Sequence, residues 1–155
     1  MSTPLGRWTD ARPPCLAIAC TGIVPSIIGA GHDAHELDDF DRLYGTDPLR
    51  GRIDIRLGCA FDVFHATEGV FDAVLIDIEK DDYSQALSTA LPRVRPGGLI
   101  LADNVLWGGK TAHPASVDDP CTQALQAFNE QLFSNPRIQT GILPAGDGLS
   151  VSLVL

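Results

Sequence analysis

The sequence predicts an α/β fold whose sheet is mostly parallel and ends in an antiparallel hairpin. Three observations point that way. Phe71–Asp77 and Leu99–Ala102 are apolar runs of strand length with no interior charge after Asp72, as strands buried on both faces of a parallel sheet require. A helical pattern over Asp82–Leu91 lies between them, and strand, helix, strand in succession implies a right-handed parallel unit. Ile138–Leu143 and Leu149–Leu155 are joined only by Pro144–Gly148, too short a link for a crossover helix, so they pair as a hairpin.

The chain changes character near Asp47. Before it, Met1–Thr46 carries scattered prolines (Pro4, Pro13, Pro14, Pro25) and an acidic patch over His32–Asp41. Ser26–Gly31 with Ala34 fits a G-x-G-x-x-A pattern, but Pro25 interrupts the strand before it, and an ordinary loop is the better reading of Gly29–Gly31. From Gly31 to Ile53 there is room for a helix and a loop, with nothing that reads as a further strand. His32, His35 and Asp38 share a helical face; surface histidines in an acidic patch explain them better than a metal site. Ile53–Leu57 alternates branched and polar residues, as a half-buried strand does. In the next helix Asp81 or Asp82 is the N-cap, and Tyr83, Leu87 and Ala90 lie along one face. Pro96-Gly97-Gly98 halts the chain before the strand at Leu99. Asp118-Asp119-Pro120 is a helix start, with a carboxylate cap followed by a proline whose missing N–H costs nothing there. Cys121, Leu125, Phe128 and Leu132 then form one stripe, and Asn135-Pro136 ends the helix. There is no internal repeat.

Composition bounds the function. A chain of 155 residues with 45% hydrophobic content is one folded domain. No apolar run reaches the roughly 18–20 residues of a membrane span, and Cys15–Ala19 is too short for a signal-peptide core, so the cytoplasm is the expected compartment. A net charge of −9 excludes partners that need a basic face, nucleic acid above all. Cys15, Cys20, Cys59 and Cys121 form no C-x-x-C pair and read as reduced residues; a Cys15–Cys20 disulfide has no support.

The chemistry concentrates in Asp77–Lys110. In a right-handed parallel unit the carboxyl ends of both strands share one edge of the sheet, where open α/β folds bind ligands. Asp77 ends the first strand and Asp103 the second. Neighbouring strands lie ~4.8 Å apart, and two anions ~5 Å apart repel by about 3 kcal/mol at an effective dielectric near 20. A divalent cation between them turns that cost into binding. Asn104 adds a carbonyl oxygen, and an all-oxygen set favours Mg²⁺, Mn²⁺ or Ca²⁺ over zinc. Lys80 lies in the loop leading to the helix, where the helix dipole and the metal both lower its pKa. A lysine so tuned takes a proton from a metal-acidified hydroxyl.

Three stretches carry a resemblance: Asp77-Ile78-Glu79-Lys80-Asp81-Asp82-Tyr83, Gly97–Trp107, and Leu143–Leu149 with its Gly-Asp-Gly. From about Arg52 to the C-terminus the chain resembles the cation-dependent O-methyltransferases, the group that includes the caffeoyl-CoA and catechol O-methyltransferases. The resemblance implies a Rossmann-like methyltransferase sheet, with S-adenosylmethionine (SAM) and a divalent cation as cofactors. It implies a phenolic, catechol-like acceptor and a homodimer. Asp77, Asp103 and Asn104 would hold the metal. Lys80 would be the catalytic base beside Asp77, and Asp77 and Trp107 would meet the acceptor. Asp77, Glu79 and Ala60, in the Gly58-Cys59-Ala60 turn, would touch SAM, although Cys59 replaces the Asp often found there.

By the same mapping, residues 1–46 are an atypical segment without a recognisable SAM glycine motif, and 47–155 are the C-terminal part of a methyltransferase domain. A truncated gene, a shifted reading frame or a diverged member each fits that N-terminus. The rival reading is a non-catalytic remnant that binds a partner, and SAM binding separates the two. A nucleotide- or metal-binding module with other chemistry rests on fold analogy alone.

Overall fold

The computed structural model describes residues 16–20, 27–31, 38, 41–42, 45–48, 50–116 and 118–155. Strands β1 (Leu16–Cys20), β2 (Ile27–Gly31), β3 (Ile53–Leu57), β4 (Phe71–Asp77), β5 (Val94–Ala102), β6 (Ile138–Leu143) and β7 (Leu149–Val154) form one sheet in the order β3-β2-β1-β4-β5-β7-β6. Among the described residues, helices α1 (Ala60–Ala66), α2 (Tyr83–Ala90) and α3 (Pro120–Ser134) accompany it, and Asp38, Asp41 and Arg42 are also helical. Strands β2, β3, β4, β5 and β6 run one way, and β1 and β7 the other. The fold is therefore α/β and mostly parallel, with the C-terminal antiparallel hairpin in register from Ile138↔Val154 to Leu143↔Leu149. Among the described residues no helix is long and apolar enough to cross a membrane.

Strands β4 and β5 carry the core. Val74, Ile76, Ile100 and Ala102 are buried, and the two strands pair in parallel up to Ile76↔Ala102. Strand β5 begins earlier than the expected Leu99. It runs from Val94 through Pro96-Gly97-Gly98, using five residues from Val94 to Leu99 against two of β4 from Phe71 to Ala73. Glycine is required at 98, where a Cβ would lie 2.7 Å from the Asp72 carbonyl oxygen. Helix α2 follows a 3₁₀ turn over Lys80–Asp82, and Asp82 caps it without a side-chain hydrogen bond, unlike the expected carboxylate cap. Helix α3 buries Leu125, Phe128 and Leu132 as expected, but Thr122 is buried and Cys121 only half-buried. The rings of Phe128 and Tyr83 meet nearly at right angles at 5.2 Å between centroids, which ties α3 to the start of α2.

Two expectations need correction. Gly29–Gly31 is not a loop: it is the second half of β2, paired in parallel with Ile55–Leu57. Pro25 does not interrupt a strand: β2 begins at Ile27, two residues after it, and among the described residues between Gly31 and Ile53 there is no strand, as expected. Strand β1 and helix α1 were not expected at all. Of the histidine cluster, Asp38 is exposed, while His32 and His35 lie outside the described residues, as does Cys15.

Two outcomes follow from α3. Phe128→Ala removes the ring against which Tyr83 rests and should cost about 3–5 kcal/mol in urea unfolding, whereas Phe128→Leu should cost clearly less. Asp119 caps α3, its Oδ1 accepting from the Thr122 N–H at 3.1 Å and its Oδ2 from the Thr122 hydroxyl at 2.8 Å. The Thr122 hydroxyl bond first, then the N–H bond, hold its carboxyl below the ordinary 3.8. A depressed folded pKa means stability that is present above the unfolded value and lost as pH falls through the folded one. Asp119→Ala should thus lower the urea midpoint at neutral pH, and its gap from wild type should narrow below about pH 4. A gap constant from pH 7 to 3 would show that the cap charge contributes nothing.

Candidate active site

The site is built at the carboxyl edge of β4 and β5. The parallel ladder ends at Ile76↔Ala102, and the Asp103 N–H donates to the Ile76 carbonyl at 3.1 Å, carrying the pairing one residue further. Asp77 and Asp103 are thus next neighbours on adjacent strands, one strand spacing of ~4.8 Å apart. Burial comes first in raising the Asp77 carboxyl above its ordinary range, and the Asp103 charge adds to it while Lys80 opposes it.

Lys80 opens the 3₁₀ turn, and a turn with three residues per revolution sets residues i and i+3 one above the other. Its ammonium therefore reaches the Tyr83 hydroxyl at 2.6 Å, and it also donates to Asn104 Oδ1 at 3.1 Å. The Tyr83 hydroxyl in turn donates to the Asp103 carbonyl at 3.0 Å. Burial lowers the Lys80 pKa, opposed by the charges of Asp77, Asp103, Glu79 and Cys121. The expected direction holds, but desolvation leads it, where the helix dipole and a metal were expected. Tyr83 is pushed above its ordinary range, by burial first and then by the two carboxylates, so it stays a neutral hydroxyl.

The loop after Asp103 is shaped by two left-handed residues, Asn104 at φ 56° and Trp107 at φ 49°. Asparagine tolerates that region; a bulky residue there is an outlier that surrounding bonds must hold. Those bonds are present. Asn104 N–H donates to Asp103 Oδ1 at 2.7 Å, and Trp107 N–H to the Asn104 carbonyl at 3.1 Å. Val105 and Leu106 donate to the Gly148 and Asp147 carbonyls, and Asn129 Nδ2 bonds the Val105 carbonyl at 2.9 Å. The Trp107 ring lies 5.7 Å from Lys80 Nζ, so it borders the same space.

Of the residues expected from the sequence, the structure brings together Asp77, Lys80, Asp103, Asn104 and Trp107. Glu79 is exposed in the β4 loop, and Ala60 is buried at the first turn of α1, beyond the carboxyl end of β3. Ala60 also lines an apolar recess with Phe64, Ile76, Ile78 and Ala86. Tyr83 was read as a core residue only. The signal that could have placed its hydroxyl was its spacing of three from Lys80. Among the described residues no three His, Cys, Asp or Glu side chains cluster as a cation site, so any cation here rests on two carboxylates and an amide.

With this geometry in place, relatives can be compared. A family model described as O-methyltransferase matches residues 41–155. The chain belongs to this family. It is 36% identical over 113 residues to a caffeoyl-CoA O-methyltransferase of Petroselinum crispum, covering 64% of this chain and 46% of that one. It is 33% identical over 115 residues to a catechol O-methyltransferase of Niastella koreensis, covering 68% and 52%. The chain thus spans about half the length of these curated O-methyltransferases. Among solved structures it resembles an SAH-bound methyltransferase of Podospora anserina at TM-score 0.70 and 27% identity, covering 84% of this chain and 61% of that one. The fold alone is shared with an O-methyltransferase of Bacillus cereus in complex with SAH, at TM-score 0.75 and 24% identity, covering 84% and 63%.

Gly148 tests how the loop is held. It adopts φ 89°, and a Cβ there would lie 2.4 Å from Leu106 Cγ. Gly148→Ala should displace the Leu106–Trp107 segment and cost about 1–3 kcal/mol in urea unfolding, with a change in Trp fluorescence. Unchanged stability and fluorescence would mean that the 148 turn does not position Trp107.

Proposed function

We propose that this chain carries the acceptor-activating half of a divalent-cation-assisted O-methyltransferase, acting on a catechol-like or phenolic hydroxyl that SAM methylates in reactions of this class. The observation that carries this reading is the 3.1 Å contact from Lys80 Nζ to Asn104 Oδ1, beside carboxylates at the ends of two register-matched strands.

The donor set fits a hard cation. Asp77, Asp103 and Asn104 offer oxygen only, the chemistry that suits Mg²⁺, Mn²⁺ or Ca²⁺. The Asn104 carbonyl has two lone pairs, so its bond to Lys80 leaves one free. Asp103 also spends one carboxylate oxygen on the Asn104 N–H and keeps the other. Beside its burial, the Asp103 charge adds to the cost of ionising Asp77, a burden that a shared cation relieves. When bound, the cation supplies positive charge that acidifies a coordinated hydroxyl.

The chain's own residues do the rest. Lys80 takes the acceptor's proton at Nζ, and the Tyr83 hydroxyl holds that nitrogen in place. Trp107 offers a flat apolar face to an aromatic acceptor. SAM fits at one end only. Ala60, Asp77 and Glu79 stand at the carboxyl edge, but the strand beside β4 brings no turn to that edge. Methyl transfer therefore has no complete residue-level basis among the described residues.

Two titrations test the acceptor half. Mn²⁺ should bind the purified chain saturably by calorimetry, and Asp103→Ala should weaken it by at least about 10–100-fold. With Mn²⁺ present, 4-nitrocatechol should bind and take on the absorption of its anion at a pH where the free probe is protonated. Lys80→Met should keep its Mn²⁺ affinity and lose most of that spectral change. Equal Mn²⁺ binding by wild type and Asp103→Ala, or a full spectral change in Lys80→Met, would overturn the assignments.

A further inference from the structure

We infer that the described residues of this chain do not form a SAM site, because the strand beside Asp77 runs in the direction that carries its carboxyl end away from the site. The inference rests on the acceptor-half reading above for where the site lies, and on strand direction for everything else.

Open α/β sheets bind cofactors outside the carboxyl ends of their strands, at the point where strand order reverses. In the order β3-β2-β1-β4-β5-β7-β6 that point lies between β1 and β4. A cofactor lodged there is gripped by the turn leaving β1 and the turn leaving β4, which must reach the same edge. Strand β4 meets this condition, since it ends at Asp77. Strand β1 does not. It pairs antiparallel to β4, with Leu16 opposite Asp77 and Cys20 opposite Ala73. Its carboxyl end is at the far edge of the sheet. At a rise of ~3.3 Å per residue, Cys20 lies about 13 Å down the sheet from Asp77.

The Gly29-Ala30-Gly31 run does not replace the missing turn. Gly31 does reach the correct edge, but β2 is separated from β4 by β1 and pairs with β3 on its other side. That leaves it two strand spacings, ~9–10 Å, from β4. The acceptor side is independent of all this, because it is built on β4, β5, the 3₁₀ turn and the loop at 103–107.

Two measurements on the full chain decide the matter. The first reads strand direction. Ala73→Cys should form a disulfide with Cys20 under oxidised glutathione, located by peptide mass mapping, while Asp77→Cys should not. A bridge from Cys20 to the thiol at position 77, and none at 73, would mean a parallel β1 and would overturn the inference. The second reads the cofactor. SAM and SAH, titrated by calorimetry into the sample that binds Mn²⁺, should give no saturable heat up to millimolar concentration. Micromolar SAM binding would overturn the inference and leave the acceptor half standing. Failure to bind Mn²⁺ would instead sink the acceptor half, and the disulfide result would still decide the direction of β1.

Discussion

The site depends on one pairing: the parallel register of β4 with β5, which ends both strands together and sets Asp77 beside Asp103. Every other feature answers to that crowding of negative charge in a half-buried place. Lys80 is drawn in as the nearest cation, and the Tyr83 hydroxyl and Asn104 amide fix where its ammonium sits. The left-handed turns at Asn104 and Trp107 bend the chain back over the same spot, and Gly148, Asp147 and Asn129 hold that bend from outside. Surface salt bridges elsewhere, such as Arg56 to Asp54, are exposed and add little to this arrangement.

The legible part of the fold is the part with internal pattern. Phe71–Asp77 is apolar enough to be nothing but a buried strand, and Asp119-Pro120 followed by Leu125, Phe128 and Leu132 specifies α3 almost completely. The hairpin follows from the shortness of its link. Strands β1 and β2 lack such marks. LAIAC and IIGAG are short runs of small and apolar residues, and their strand character is conferred by ladder partners on β4 and β3. Propensity over five residues does not reveal a partner that is tens of residues away. Helix α1 escaped for a similar reason: Cys59 caps it without a side-chain bond, so the usual start signal is missing.

The site was legible in its carboxylates, amide and lysine because strand ends and loop positions can be read along the chain. The Tyr83 hydroxyl was not. A tyrosine on the apolar face of α2 satisfies the helical pattern as a core residue, and only the 3₁₀ turn at Lys80–Asp82 brings its oxygen under Nζ. Strands β4, β5, β7 and β6 follow the expected topology. Strand β1 runs against β4, and strand direction decides which edge a strand's carboxyl end occupies whatever its sequence.

The most direct measurement is a crystal structure with Mn²⁺, read by anomalous scattering. Asp77, Asp103 and Asn104 holding one cation predicts a single strong peak within about 2.0–2.6 Å of an oxygen from each of the three. A peak elsewhere, or none at a concentration that saturates binding in solution, would contradict it and leave the two aspartates as polar ends of buried strands.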